Sequence, residues 1–107
     1  MEFQRSNKFI LSESIAYSEQ ATVSRMIIQK QTGNITLFAF DAGQGLSEHS
    51  APFDAFVQVI DGSGKIIINK EEFDLETGQG IVMPANIPHA IKAIQPFKMM
   101  LVMIRGN

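Results

Sequence analysis

The sequence predicts an all-β fold, a sandwich or barrel of short antiparallel strands, on three observations. Fourteen isoleucines and eight phenylalanines stand out among the apolar residues, and branched and aromatic side chains fit a pleated, half-buried surface. Turn signals recur at Thr32-Gly33-Asn34, Gly43-Gln44-Gly45, Asp61-Gly62-Ser63-Gly64, Thr77-Gly78-Gln79-Gly80 and Pro84 to Pro88. The apolar runs between them are mostly strand length and too short for stable helices. Strands at such spacing, with turns between them, suggest two packed sheets or a closed barrel.

Taken in order, Phe9-Ile10-Leu11 and Ile15-Ala16-Tyr17 are expected as short edge strands. Thr22–Gln31 and Ile35–Phe40 follow as strands on either side of the Gly33 turn. Ala55–Ile60 and Lys65–Asn69 are expected to pair as a hairpin through Asp61-Gly62-Ser63-Gly64, whose residues tolerate positive φ. Asn69-Lys70-Glu71-Glu72 then turns the chain into Phe73-Asp74-Leu75, and Ile81–Met83, Ala90–Ile94 and Phe97–Ile104 complete the set. The last run is apolar on both faces after Lys98, as in a strand buried on both sides. One side can fill a barrel. The other needs a second sheet or a second subunit, which predicts a homodimer.

The totals bound the function. A chain of 107 residues, 45% hydrophobic and 19% charged, fits one globular domain over residues 1–107. Net charge is −2 and no basic run tracks phosphates, so a nucleic-acid partner is not expected. With no cysteine there are no disulfides, thiolate metal sites or cysteine nucleophiles. No apolar segment is long enough to span a bilayer, and MEFQRSNKFILSES lacks a signal-peptide apolar core, so the expected location is the cytoplasm.

Two segments together resemble the cupin family. From Gly43 to Gly62, the family's first motif is a Gly, five residues, His-x-His, three or four residues, Glu, six residues and a Gly. Here Gly43, His49 and Gly62 fit in register, while Ala51 stands at the second His position and Ala55 at the Glu position. The second motif is a Gly, five residues, Pro-x-Gly, two residues, His, three residues and an Asn. Gly78, Pro84 and His89 fit; Asn86 stands at the Gly position and Ala93 at the Asn position. Asn is the non-glycine residue that best tolerates a left-handed turn. The match covers about residues 35–104 and looks closest to small single-domain bacterial cupins. It implies a jelly-roll β-barrel of two antiparallel sheets.

In members of the family that bind metal, three His and one Glu hold a divalent ion inside the barrel. The resemblance therefore implies a site for Mn, Fe, Ni, Zn or Cu, or none. His49 and His89 are the only histidines, and both land on motif positions. A methyl group cannot coordinate, so Ala51 and Ala55 leave two protein ligands where three is the usual minimum for a catalytic zinc. Asp54 joins the set only if a bulge near Pro52 turns it inward; Gln44 and a bound small molecule are the other candidates. The leading expectation is a small-molecule-binding barrel with a degenerate metal site. Its pocket is formed by Ala51, Ala55, Val57, Met83 and Ile91, with His49 and His89 as the polar groups. The alternatives are a metal-dependent dioxygenase or isomerase using His49, His89 and a non-standard ligand, and a metal-free isomerase or epimerase with a histidine base. Whether the chain is an enzyme stays open.

Other features have plainer readings. Met99, Met100 and Met103 alternate across a strand, so they are expected to pack rather than to converge on one point. The Gly43/Gly45, Gly62/Gly64 and Gly78/Gly80 pairs precede no helix and are expected as turns, not phosphate cradles. Tyr17, the sole tyrosine, has no predicted place.

Overall fold

The computed structural model describes residues 2–105. A single 3-10 turn at Leu11–Glu13 precedes eight strands: β1 (Thr22–Lys30), β2 (Gly33–Phe40), β3 (Gly45–His49), β4 (Ala55–Ile68), β5 (Glu71–Glu76), β6 (Gly80–Met83), β7 (His89–Lys92) and β8 (Phe97–Ile104). Every pairing is antiparallel. The strands form two sheets that share β4. Its first half lies in the order β1-β2-β8-β4-β6, its second half in the order β3-β7-β4-β5. The inner faces close on Phe40, Val57, Val59, Ile66, Leu75, Phe97 and Met99. This is the all-β, two-sheet barrel that the turn spacing predicts.

The shared strand corrects one expectation. No hairpin forms at Asp61–Gly64; the chain runs straight on through β4. The pairing with β8 slips between Val59 and Asp61, and Gly62 has φ 75°. A bulge adds twist and bends its strand, so the glycines carry β4 from one sheet into the other instead of reversing it. Gly64 is needed for a second reason: a Cβ there would sit 2.4 Å from the ring of Phe97. The reversal comes later and is tighter than expected. Asn69 and Lys70, at φ 51° and 69°, form a two-residue turn that sets Ile68 opposite Glu71, the geometry that matches the twist of the flanking strands. In each Gly-x-Gly pair only the first glycine has positive φ; Gly45, Gly64 and Gly80 belong to strands.

The N-terminal segment corrects a second. Neither Phe9-Ile10-Leu11 nor Ile15-Ala16-Tyr17 is a strand. The segment lies across the outer face of the β1-β2-β8-β4 sheet and buries Ile15 against Leu37 and Ala39, beside Leu11, Ile60 and Met100. It is tied down by polar contacts. The Phe3 N–H donates to the Ile27 carbonyl at 3.0 Å, the Arg25 guanidinium lies 4.3 Å from the Phe3 ring centroid, and the Lys98 ammonium donates to the Ser12 carbonyl at 2.6 Å. Of the two runs only Leu11 and Ile15 pack onto this face, where they take apolar surface out of water; Phe9, Ile10, Ala16 and Tyr17 stay exposed. Strand β3 was not legible as a run, because Leu46 is its only large apolar residue. No helix among the described residues is long and apolar enough to cross a membrane.

Candidate functional site: a two-histidine cavity

A cavity opens between the two sheets, lined by Leu46, His49, Ala51, Phe53, Ala55, Met83, His89, Ile91, Met99, Leu101 and Met103. It holds about 40 Å³ for the centres of water-sized molecules, within about 390 Å³ of empty space that includes its mouth. That is room for a few waters or a slim group, and only its two imidazoles bring side-chain hydrogen-bond donors.

Each histidine is placed by a local feature. His89 begins β7, opposite His49 on one side and Ile68 on the other. Asn86, at φ 66°, makes the left-handed turn before it, and its N–H donates to the Ala51 carbonyl at 2.7 Å. His49 depends on a bulge. Leu46 pairs with Ile91 and His49 with His89, so three steps on β3 match two on β7. Plain alternation from Leu46 would turn His49 outward. The extra residue turns it in, and the bulge carbonyl of Ser47 accepts from His49 Nδ1 at 2.9 Å.

That bond assigns the tautomers. A carbonyl only accepts, so His49 carries its proton on Nδ1 and presents a lone pair on Nε2. His89 Nε2 lies 3.2 Å from it and donates. His89 is buried, and its Nδ1 is then a lone pair with no hydrogen-bond partner. Burial, and secondly the neighbouring His49, push the His89 pKa down; the Ile87 carbonyl opposes them without closing a bond of good geometry.

The sign of the pH dependence follows. In the metal-free protein His89 stays neutral below its unfolded pKa of about 6.5, while the unfolded chain takes up a proton. Stability is therefore complete above about pH 6.5 and falls below it, by at most about 1.4 kcal/mol per pH unit for this one group. Melting curves from pH 7.5 to 5 are expected to fall more steeply for the wild type than for His89→Gln. Equal slopes would show that His89 titrates alike in both states.

Of the residues the sequence singles out, His49, His89, Ala51, Ala55, Met83 and Ile91 line this cavity, while Val57 is fully buried in the core and is not part of the lining. Asp54 lies elsewhere: it is exposed, and its Oδ1 accepts the Ala85 N–H at 2.8 Å. No bulge at Pro52 turns it inward. The Gln44 carbonyl accepts from the Ala93 N–H at 2.9 Å, and its side chain is not in the lining. Leu46, Phe53, Met99, Leu101 and Met103 were not anticipated in the lining. The two methionines were legible in part, since positions 99 and 103 are four apart and share a face of a strand. Of the cluster, only Met100 points to the outer face, where it packs beside Ile15. Tyr17 is also outside: its hydroxyl donates to Asp61 Oδ2 at 2.5 Å, and Lys98 Nζ lies 4.8 Å from its ring centroid. Burial first, then Asp61, hold that hydroxyl well above the usual tyrosine pKa, which suits a clasp rather than a base.

Among the described residues no group of three or more His, Asp or Glu is placed to hold a metal ion. The donors present do not fit the hard divalent ion that three His and one Glu would hold: two imidazoles converge, both remaining positions are alanine, and no acidic side chain lines the cavity.

Fold and site together define a double-sheet barrel with a small histidine-bearing interior. Residues 36–105 match the family model described as Cupin domain, and the chain belongs to the cupin family. A conserved protein of unknown function from Streptococcus pyogenes is 34% identical, with TM-score 0.93, over 100% of this chain and 94% of that one. A cupin 2 conserved barrel domain protein from Leptotrichia buccalis is 38% identical, with TM-score 0.87, over 90% of this chain and 47% of that one, about half its length. Salicylate 1,2-dioxygenase from Pseudaminobacter salicylatoxidans shares the fold at 19% identity and TM-score 0.72, over 78% of this chain and 26% of that one. No curated protein matches the chain.

Proposed function

We propose that this cupin binds a small, largely apolar molecule between its sheets, with the His49–His89 pair meeting the ligand's one polar group. The observation that supports it is the lining: nine apolar side chains surround two imidazoles. Such a wall favours apolar surface, and a few convergent polar groups fix orientation. Three flexible methionines, Met83, Met99 and Met103, let the narrow space widen. A second reading, proton transfer on the bound molecule, draws on the 3.2 Å separation of the two Nε2 atoms, which puts a donor and an acceptor side by side.

Phenol, a ring with one hydroxyl, is a suitable probe. In protein carrying 13C-methyl methionine, phenol is expected to shift the Met83, Met99 and Met103 methyl signals and leave Met100 still. Ala55→Phe, which fills the cavity, is expected to abolish the shifts. Shifts that persist in Ala55→Phe, or none with phenol and other small alcohols, would refute the reading.

We propose also that two copies pair through the uncovered half of the outer face. Ile28, Ile35, Val102, Phe56 and Val82 stand directly opposite one another across β1, β2, β8, β4 and β6. This uncharged stripe is roughly 20 Å long at ordinary strand spacing. Val82 is 57% and Phe56 36% exposed, and the N-terminal segment covers the neighbouring row instead. A row without charge suits a twofold contact with its own copy, where each patch meets itself. Light scattering is expected to give twice the chain mass of 11.8 kDa, and Phe56→Lys to give a folded monomer. A monomeric wild type ends the idea.

A further inference from the structure

The alanines that remove the hard ligands leave a different donor set. Ala55, at the family's Glu position, stands in one row with a methionine on either side: Met83 of β6 pairs with it, and so does Met103 of β8. All three face the cavity, as does Met99, which is fully buried. The empty carboxylate position is therefore flanked by thioethers. On the opposite sheet the two Nε2 atoms are 3.2 Å apart. Metal–nitrogen bonds of about 2.0–2.1 Å at a tetrahedral angle place two imidazole nitrogens roughly 3.3–3.4 Å apart, so the pair is close to the spacing that one shared ion requires.

We infer that the cavity binds a soft monovalent ion, Cu(I), through His49, His89 and the thioethers that flank Ala55.

Three physical arguments favour this ion over the divalent ones. The first is charge. No side chain in the lining is anionic. The cost of an ion in an apolar enclosure grows with the square of its charge, so an uncompensated divalent ion costs about four times a monovalent one. The second is softness. Thioethers favour Cu(I) and imidazole accepts copper, while Mn and Mg prefer oxygen donors, and Na and K likewise find no oxygen side chain in the lining. The third is the state of the imidazoles. His49 already holds its proton on Nδ1 against the Ser47 carbonyl, the outer contact that orients a metal-ligating histidine. His89 carries an unpartnered Nδ1 beside the Ile87 carbonyl. Moving its proton from Nε2 to Nδ1 gives that proton an acceptor and frees Nε2 for the ion. No electron is transferred; Cu(I) enters and leaves as Cu(I).

The inference goes beyond the organic-ligand reading: it uses the same His49–His89 pair but adds the thioethers of Met83 and Met103 as donors to an ion, and it is tested without phenol. Untagged protein is titrated anaerobically with Cu(I) against bicinchoninate. About one Cu(I) per chain is expected to be retained, with Zn(II) and Mn(II) not retained under the same dialysis. X-ray absorption is expected to show sulfur as well as nitrogen scatterers. Met83→Leu/Met103→Leu keeps volume and packing and is expected to weaken Cu(I) at least tenfold and to remove sulfur scattering. Met100→Leu, on the outer face, is expected to change nothing. Melting curves confirm that each variant is folded. Failure to retain Cu(I), Zn(II) retained as tightly, or a double variant with unaltered affinity and scattering would each overturn the assignment.

Discussion

The double substitution Ala51→His/Ala55→Glu is expected to turn a chain that retains little Mn(II), Ni(II) or Zn(II) after dialysis into one that retains about one ion. Both alanines line the same cavity as His49 and His89, at the positions where metal-binding cupins carry the missing ligands. The single variant Ala55→Glu isolates the cost. Ala55 is 6% exposed, between Met83 and Met103. A lone carboxyl there must stay neutral or lose hydration, costing on the order of several kcal/mol, so its melting temperature is expected to fall. Added metal is expected to reverse that fall in the double variant, because an ion held at a thousand times its Kd stabilises by about 4 kcal/mol. Metal analysis and melting curves with and without Mn(II) read both effects. A double variant that folds and still retains no divalent ion would show that these four positions do not converge.

Phe97→Ala is expected to be the most damaging truncation of the core. Phe97 is fully buried and stacks on Phe40 with centroids 5.0 Å apart. It also fills the space that Gly64 leaves open where β4 crosses between sheets. Losing the ring costs about 3–5 kcal/mol, a large share of the roughly 5–15 kcal/mol that hold a domain folded. For a chain of this size the melting temperature is expected to drop by roughly 15–30 °C. Phe9→Ala serves as the comparison, since Phe9 is 44% exposed. Circular dichroism melting checks both. A drop for Phe97→Ala no larger than for Phe9→Ala would contradict the packing of β8 against the β4 bend.

How much was legible depended on how local the cause was. The strands β1, β2 and β8 are long, branched or aromatic runs between turn residues, and they appear where the sequence puts them. Gly43, Gly62, Gly78 and Asn86 all adopt positive φ, because that requirement is intrinsic to the residue. The same glycines misled at Asp61–Gly64: a positive φ permits a reversal or a bulge, and which one occurs depends on whether β8 continues to pair beyond Val59. Asp54 shows the same limit. Its neighbours place it near His49, but the Ala85 N–H, 31 residues on, claims its carboxylate.

By itself the sequence determined the all-β class, the two motif histidines and the loss of two metal ligands to alanine, since each is written in residue type and spacing. Only the tertiary structure decided that a bulge at Ser47–Glu48 aims His49 inward, that Met83 and Met103 flank Ala55, and that the N-terminal segment covers half of an outer sheet face. Each of these rests on which strand lies beside which. That is settled by long-range packing and register, where one extra residue reverses the face a side chain presents.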